Sequence, residues 1–223
     1  MENLLKREKE KLIREKEIIA AAERIFCIKG YEDASMDEIA KEAQFTKRTL
    51  YQYFENKEDL YFAVVLKGFK KLFSKITEAN KKELTGYEKL EKSCRDYYQF
   101  YRDNPEIFSL INYWGHVKSK SSEESRNKSE LIQFNNILFQ NAAEIIEEGK
   151  ADGSIQLELD SEKTAISLVY LMTGFFNQLS TTGDNFTQHF SLDKEEFSLY
   201  TINLVIKSFK RSKAIIATRK GTA

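Results

Sequence analysis

One proline, Pro105, interrupts 223 residues, and only nine glycines accompany it. A chain this poor in helix breakers and rich in Lys, Glu, Leu and Ile is suited to long helices. The expected fold class is all-α. The length allows one large domain or two small ones, and a hydrophobic share of 41% is enough for a sizeable core. The longest apolar run falls far short of the roughly 20 residues that a membrane span needs. The charged N-terminus lacks the hydrophobic region of a secretion signal. Cys27 and Cys94 are the only cysteines, so no disulfide framework is expected, and the cytoplasm is the simplest compartment.

The most informative stretch is Ser35 to Leu60, SMDEIAKEAQFTKRTLYQYFENKEDL. Ser35 and Glu38 form a capping box, in which the hydroxyl accepts from the backbone three residues on and the carboxylate reaches back. Met36, Ile39, Ala40 and Ala43 then share one helical face. Gln44-Phe45 breaks the pattern. Thr46 is a second N-cap, and Lys47 to Tyr53 reads as a second helix of about two turns. Asn56 caps a third, with Glu58 and Asp59 complementing its dipole. Two short helices around a tight break, the second carrying Lys, Arg, Thr, Tyr and Gln, suit a helix-turn-helix that sets its second helix in the DNA major groove.

This stretch resembles the TetR family of bacterial transcriptional regulators. The likeness begins at Ile18-Ile19-Ala20-Ala21-Ala22-Glu23-Arg24-Ile25-Phe26 and Lys29-Gly30-Tyr31. It continues through Ser35, Ile39-Ala40, Ala43, Thr46, Thr49-Leu50-Tyr51, Tyr53-Phe54, Lys57-Glu58 and Leu60. Gln44-Phe45 stands where the family usually has Gly-Val, and a left-handed Gln44 would cost about 1–2 kcal/mol relative to glycine. Arg48 stands where the family often has a small residue. The resemblance implies that Tyr51 and Lys57 contact phosphates. Thr49 joins them as an anchor, and such contacts position a protein without specifying sequence. Lys47 and Arg48 are the expected base readers, since either can donate to guanine O6 and N7. Ser35, Thr46 and Gln52 complete the expected DNA-binding set. The plainer reading makes Tyr51 a packing residue and Lys47 a solvated charge. Tyr53 and Phe54 are expected in the core.

Charge gives this reading little help. Lys and Arg number 35, as do Asp and Glu, so the net charge is zero. A nucleic-acid binder ordinarily shows a basic excess. Only locally, with Lys47, Arg48 and Lys57 against Glu55, is there a small positive face. Modest non-specific affinity and dependence on dimerisation are the expected consequences.

The remaining chain divides into helical segments. Residues 1–17 alternate charge and read as a solvated extension of the first helix, or as an arm reaching an adjacent groove. Gly30 ends that helix, with Tyr31 folding back on its last turn. Asn56 to about Lys82 forms one long helix, a natural lever between a DNA-binding unit, 1–60, and a ligand-binding and dimerising unit, 61–223. Thr85-Gly86 marks a break, Tyr87 to Arg102 is helical, and Pro105 restarts a helix capped by Asn104. Ser119 to Ser129 is expected to be a mobile loop. Leu131 to Ile146 is amphipathic, closed by Gly149 and Gly153. Ser161 caps a helix to about Leu179, Thr181 to Asn185 is a loop, and the last helix runs from about Asp193 to Lys210. From Lys207 the tail carries six Lys or Arg and no carboxylate.

Beyond residue 85 the family resemblance implies a divergent helical domain that binds a ligand and dimerises. The residues add a density of aromatics, from which Tyr97, Tyr101, Phe108, Trp114 and Phe175 are drawn as the expected pocket for an apolar or planar molecule. Each taken singly reads rather as core, and only the set reads as a pocket. A homodimer is expected because Leu131–Ile146 and Ala165–Phe176 offer more apolar surface than a monomer needs. Catalysis finds no support. His116 and His189 are isolated, no metal-ligand spacing occurs, and no cofactor is implied. Phosphate-loop and nucleophile-elbow motifs are missing. Cys94 beside Arg95 reads as a buried small hydrophobe rather than an activated thiol. The expected function is a ligand-responsive repressor that leaves a palindromic operator when a hydrophobic small molecule binds. The rival is a helical binding or scaffold protein whose helix-turn-helix only packs.

Overall fold

The computed structural model describes residues 2–78, 83–120 and 123–211. Among them are nine helices: α1 (Glu2–Asp33), α2 (Met36–Glu42), α3 (Lys47–Leu50), α4 (Lys57–Glu78), α5 (Gly86–Asp103), α6 (Pro105–Lys120), α7 (Arg126–Ala151), α8 (Ser161–His189) and α9 (Lys194–Lys207). The fold is all-α. The described residues show one isolated antiparallel bridge, Ile155 to Lys210, and no strand.

Helices α1 to α3 form the N-terminal unit. Their shared core is Ile18, Ala22, Phe26, Ile39, Ala40, Leu50 and Phe54, all buried. The first turns of α1 carry Leu5, Leu12 and Ile13 in the open, as a solvated extension should. Gly30 leaves helical geometry at φ 76° and ψ 177°. Tyr31 then turns back, its ring 6.2 Å from Phe26 and 4.8 Å from Tyr61. The capping box at Ser35 and the cap at Thr46 both form. Between them Gln44 is left-handed at φ 59°, so the turn takes the strained geometry that glycine would hold at less cost. The second helix of the pair is shorter than its sequence suggests. Lys47–Leu50 is α-helical, and hydrogen-bonded turns carry the chain on to Phe54.

Helix α4 ties the two halves together. Asn56 Oδ1 accepts from Asp59 N at 2.8 Å and caps it. Residues 60–66 are then buried on every face, packed between α1 on one side and α6, α5 and α7 on the other. A division at 60/61 therefore falls inside one helix, and one hydrophobic cluster runs from Ile18 to Ile206.

Three expectations about the C-terminal half need correction. Of Ser119 to Ser129, residues 119–120 and 126–129 are helical, because α6 extends to Lys120 and Ser125 caps α7, and only Glu123 to Ser125 is irregular among the described residues. Asp160 rather than Ser161 caps α8, accepting from Lys163 N, while the buried Ser161 hydroxyl bonds to Glu147 on α7. Thr181 to Asn185 lies inside α8. There the hydroxyls of Thr181 and Thr182 bond back to carbonyls one turn earlier. Gly183 and Thr187 are buried, and Lys194 holds Asp184 at 3.0 Å. Packing against α9 outweighs the poor helix propensity of that segment. The basic tail lies mostly outside the described residues.

Candidate nucleic-acid interface and buried cavity

The helix-turn-helix presents Thr46, Lys47, Arg48, Tyr51 and Gln52 to solvent, with Thr49 and Ser35 half-buried. Their hydrogen bonds separate them. Ser35 Oγ accepts from Glu38 N and donates to Glu38 Oε2, so it serves the cap of α2. Glu38 is held below the usual carboxylate range by the Lys29 ammonium first and the Ser35 hydroxyl second. Thr46 Oγ1 accepts from Thr49 N at 3.1 Å and shares a 2.8 Å contact with Thr49 Oγ1. Lys47 Nζ lies 2.7 Å from Asp37 Oδ2, and that bond raises its pKa. A phosphate or base approaching Lys47 must compete with Asp37. Arg48 is exposed and makes no hydrogen bond or ion pair with the described residues, which leaves its whole donor fork available. Tyr53 packs against the core and Phe54 is buried within it, as expected.

Lys57 is placed otherwise than a phosphate anchor. Its ammonium donates to three backbone carbonyls, Tyr31 at 2.8 Å, Ala34 at 3.0 Å and Glu32 at 3.1 Å. It also sits 4.5 Å from the centre of the Tyr31 ring. Three donors meet three acceptors, so the charge satisfies the carbonyls at the end of α1 and locks the bend before α2. Lys57→Ala should therefore lower stability by about 1–2 kcal/mol, since hydrogen bonds from a charged group contribute more than neutral ones. The slope of log affinity against log salt should stay unchanged. A drop of about 1 in that slope would instead identify Lys57 as a phosphate contact.

In the C-terminal half, α4 to α8 surround a cavity of about 510 Å³. Phe69 and Leu72 of α4, Tyr97 of α5, Trp114 of α6, Leu138 of α7 and Met172 of α8 are among its walls. Tyr97 donates to or accepts from Thr173 Oγ1 at 2.9 Å, and burial pushes its hydroxyl up to about 12. Of the five expected pocket residues, Tyr97 and Trp114 line this space. Tyr101, Phe108 and Phe175 do not. Tyr101 and Phe108 are buried with ring centres 5.0 Å apart, and Tyr101 stacks on Phe176 at 5.0 Å. Phe175 packs on Phe176 and Phe197. These three build the wall behind the cavity rather than its surface.

What the aromatic reading missed is polar. Asn112, Asn135, Asn141, Asn177, Ser93 and Thr173 also face the cavity. Asparagine is a poor interior helix residue, so Asn112, set in an apolar helical run after Phe108, Leu110 and Ile111, was the available signal. Cys94 also lines the cavity, and burial pushes its thiol up to about 12, so it is a neutral wall group rather than a nucleophile. Among the described residues no cluster of three His, Cys, Asp or Glu could hold a metal ion, and no helix is long and apolar enough to cross a membrane.

The two regions are physically connected. Tyr61 of α4 donates to the Leu110 carbonyl of α6 at 2.7 Å. Tyr113 of α6 donates to Glu32 of α1 at 2.8 Å. Asn127 of α7 donates to the buried Asp59 at the head of α4 at 2.9 Å, and Asn56 donates to Glu123 at 2.7 Å. Helix α6 thus places Asn112 and Trp114 at the cavity and Tyr113 against the end of α1.

Residues 18–64 match the model of the bacterial regulatory proteins of the tetR family. Among curated relatives, the HTH-type transcriptional activator FasR of Mycolicibacterium smegmatis is 31% identical over 95 residues, which is 43% of this chain and 43% of that protein. The HTH-type transcriptional regulator YhgD of Bacillus subtilis is 28% identical over 182 residues, 82% of this chain and 89% of that one. Among solved structures, the transcriptional regulator FadR from Bacillus subtilis in complex with stearoyl-CoA gives a TM-score of 0.66 at 20% identity, covering 87% of this chain and 98% of that chain.

Proposed function

We propose that the chain is a TetR-type helix-turn-helix transcriptional regulator, a homodimeric repressor whose hold on a palindromic operator is released by a hydrophobic small molecule. The observation that carries this reading is the 510 Å³ cavity, whose wall helix α6 is hydrogen-bonded on to α1 and α4. A cavity of that size with apolar walls is suited to a small molecule. That FadR was solved with stearoyl-CoA favours an acyl-chain ligand for this chain too.

Dimerisation is part of the reading, and its face keeps the expected Ala165–Phe176 segment of α8 and adds α9. Of the apolar positions of α7, Leu131, Ile145 and Ile146 are buried inside the subunit, and Ile137 is exposed. The exposed apolar rows are Ile166, Tyr170 and Leu171 of α8 with Tyr200 and Leu204 of α9. Exposed groups of this kind mark an association surface, and two copies of α8 and α9 make a four-helix interface. In such a dimer the two α3 helices must lie about 34–36 Å apart to meet successive major grooves. A ligand that draws α6 inward acts on α1 through Tyr113 and on α4 through Leu110, and so disturbs that spacing. A coupling of roughly 1–3 kcal/mol is typical.

The test is a gel shift on the DNA upstream of the protein's own coding region, with and without long-chain acyl compounds, alongside sedimentation at micromolar concentration. We expect a dimer that binds DNA and an acyl compound that weakens the complex about fivefold to 150-fold. By linkage, operator DNA must weaken binding of the same compound by the same factor. A monomer mass, or a compound that fills the cavity stoichiometrically and leaves DNA affinity unchanged, would sink the proposal.

A further inference from the structure

Asn112 is the one described residue with buried side-chain polar atoms that find no protein partner, and this holds for both Nδ2 and Oδ1. It lies on the cavity wall beside Trp114. A carboxamide closed off from solvent with neither its donor nor its acceptor paired to protein costs free energy, and the cost is recovered only by something that enters the cavity. A turn of the Asn112 side chain, which gives up no hydrogen bond to protein, would present an N–H and a carbonyl oxygen side by side to the contents of that space.

A second feature restricts what those contents can be. Among the described residues, the lining holds no Asp, Glu, Lys, Arg or His. Its polar members are amides and hydroxyls: four asparagines, Ser93, Thr173, Tyr170 and Tyr97, the last kept protonated by burial. A carboxylate or ammonium drawn into such a site would lose its hydration without meeting a counter-ion.

We infer that the cavity selects uncharged ligands in which an apolar chain carries an amide-type donor–acceptor pair, and that Asn112 is the residue that reads this pair. This rests on the cavity being the effector site. The selectivity itself is a property of ligand binding and can be measured without DNA. An amide N–H meets the Asn112 oxygen while the amide carbonyl meets its Nδ2, giving two hydrogen bonds in a setting where each unmade one is costly. An ester of the same chain length supplies only the acceptor. The matching carboxylate, at pH 7.5, supplies no donor and brings an uncompensated charge.

Three probes of one chain length separate these cases: decanamide, methyl decanoate and sodium decanoate. Trp114 is the single tryptophan and stands on the cavity wall, so its emission reports occupancy. The intact protein should bind decanamide about tenfold more tightly than the ester, a ratio that one additional hydrogen bond and one relieved orphan would give. Decanoate should bind more weakly than either. In Asn112→Leu and in Asn112→Ala the amide-to-ester ratio should fall to about one. Asn112→Leu should also melt about 2–4 °C higher in the ligand-free state, whereas a residue that held the fold together would lower the melting temperature on replacement.

The inference is overturned if the intact protein shows no amide preference, if the preference survives both substitutions, if decanoate binds best, or if none of the three probes binds. Asn112-dependent amide binding that leaves operator affinity unchanged would leave the selectivity standing and overturn the effector reading instead.

Discussion

Replacing Gly86 with alanine is expected to lower the melting temperature by about 6–12 °C, the equivalent of about 3 kcal/mol in a domain of this size. Gly86 is the first residue of α5 and is buried where α5 crosses α7. A Cβ there would lie 2.7 Å from the Ile145 carbonyl oxygen and closer still to the backbone N and Cα of Gly149. These are main-chain atoms of a buried helix, so no side chain can swing away to make room. The crossing is also pinned by hydrogen bonds that need the present separation. Gly86 N donates to Asp152 Oδ2 at 2.7 Å, and Tyr87 N donates to Ser154 Oγ at 3.1 Å. Because α5 and α7 both wall the cavity, the variant should lose ligand binding as well as stability. Thermal melts of Gly86→Ala against the parent decide the matter. An unchanged melting temperature would mean that the helices do not approach this closely.

For Arg48→Ala, we expect a loss of roughly 1–3 kcal/mol at each half-site. On a two-half-site operator this sums to roughly 2–6 kcal/mol, about thirtyfold to twenty-thousandfold in affinity. Arg48 is the exposed cation of α3 with no hydrogen bond or ion pair among the described residues, whereas Lys47 is engaged by Asp37. Arg48 gives up nothing within the protein on meeting a base edge. The distinctive sign is a relaxed preference at one base position per half-site, measured by binding selection from a randomised operator. If affinity fell equally on every sequence and the preference stayed intact, Arg48 would be a phosphate contact. Paired with Lys57→Ala, the measurement separates three roles: base reading, phosphate contact, and fastening the end of α1.

Much of the N-terminal architecture was legible in the sequence because it is local. Ser35 and Thr46 each cap the next helix by a bond three residues on, and Asn56 does the same. Such contacts depend only on spacing along the chain, so a sequence of this length carries them explicitly. The all-α class was legible for a related reason, since few breakers and long apolar periodicities act summed over whole segments.

What the tertiary structure alone decided involves partners distant in sequence. Lys57 reads as a phosphate anchor until α1 and α4 come together, when three carbonyls from the bend after Gly30 reach its ammonium first. Tyr97 and Tyr101 stand one helical turn apart on α5, yet one faces the cavity and the other is sealed against Phe108 and Phe176. The amphipathic pattern of α7 showed an apolar face but not that α4, α5 and α8 would cover most of it, while apolar groups of α8 and α9 stay exposed. Periodicity shows that a face is buried, whereas the choice between core, cavity and partner depends on which helices arrive beside it. Here that choice was set by close approaches such as Gly86 against Gly149, which no local pattern encodes.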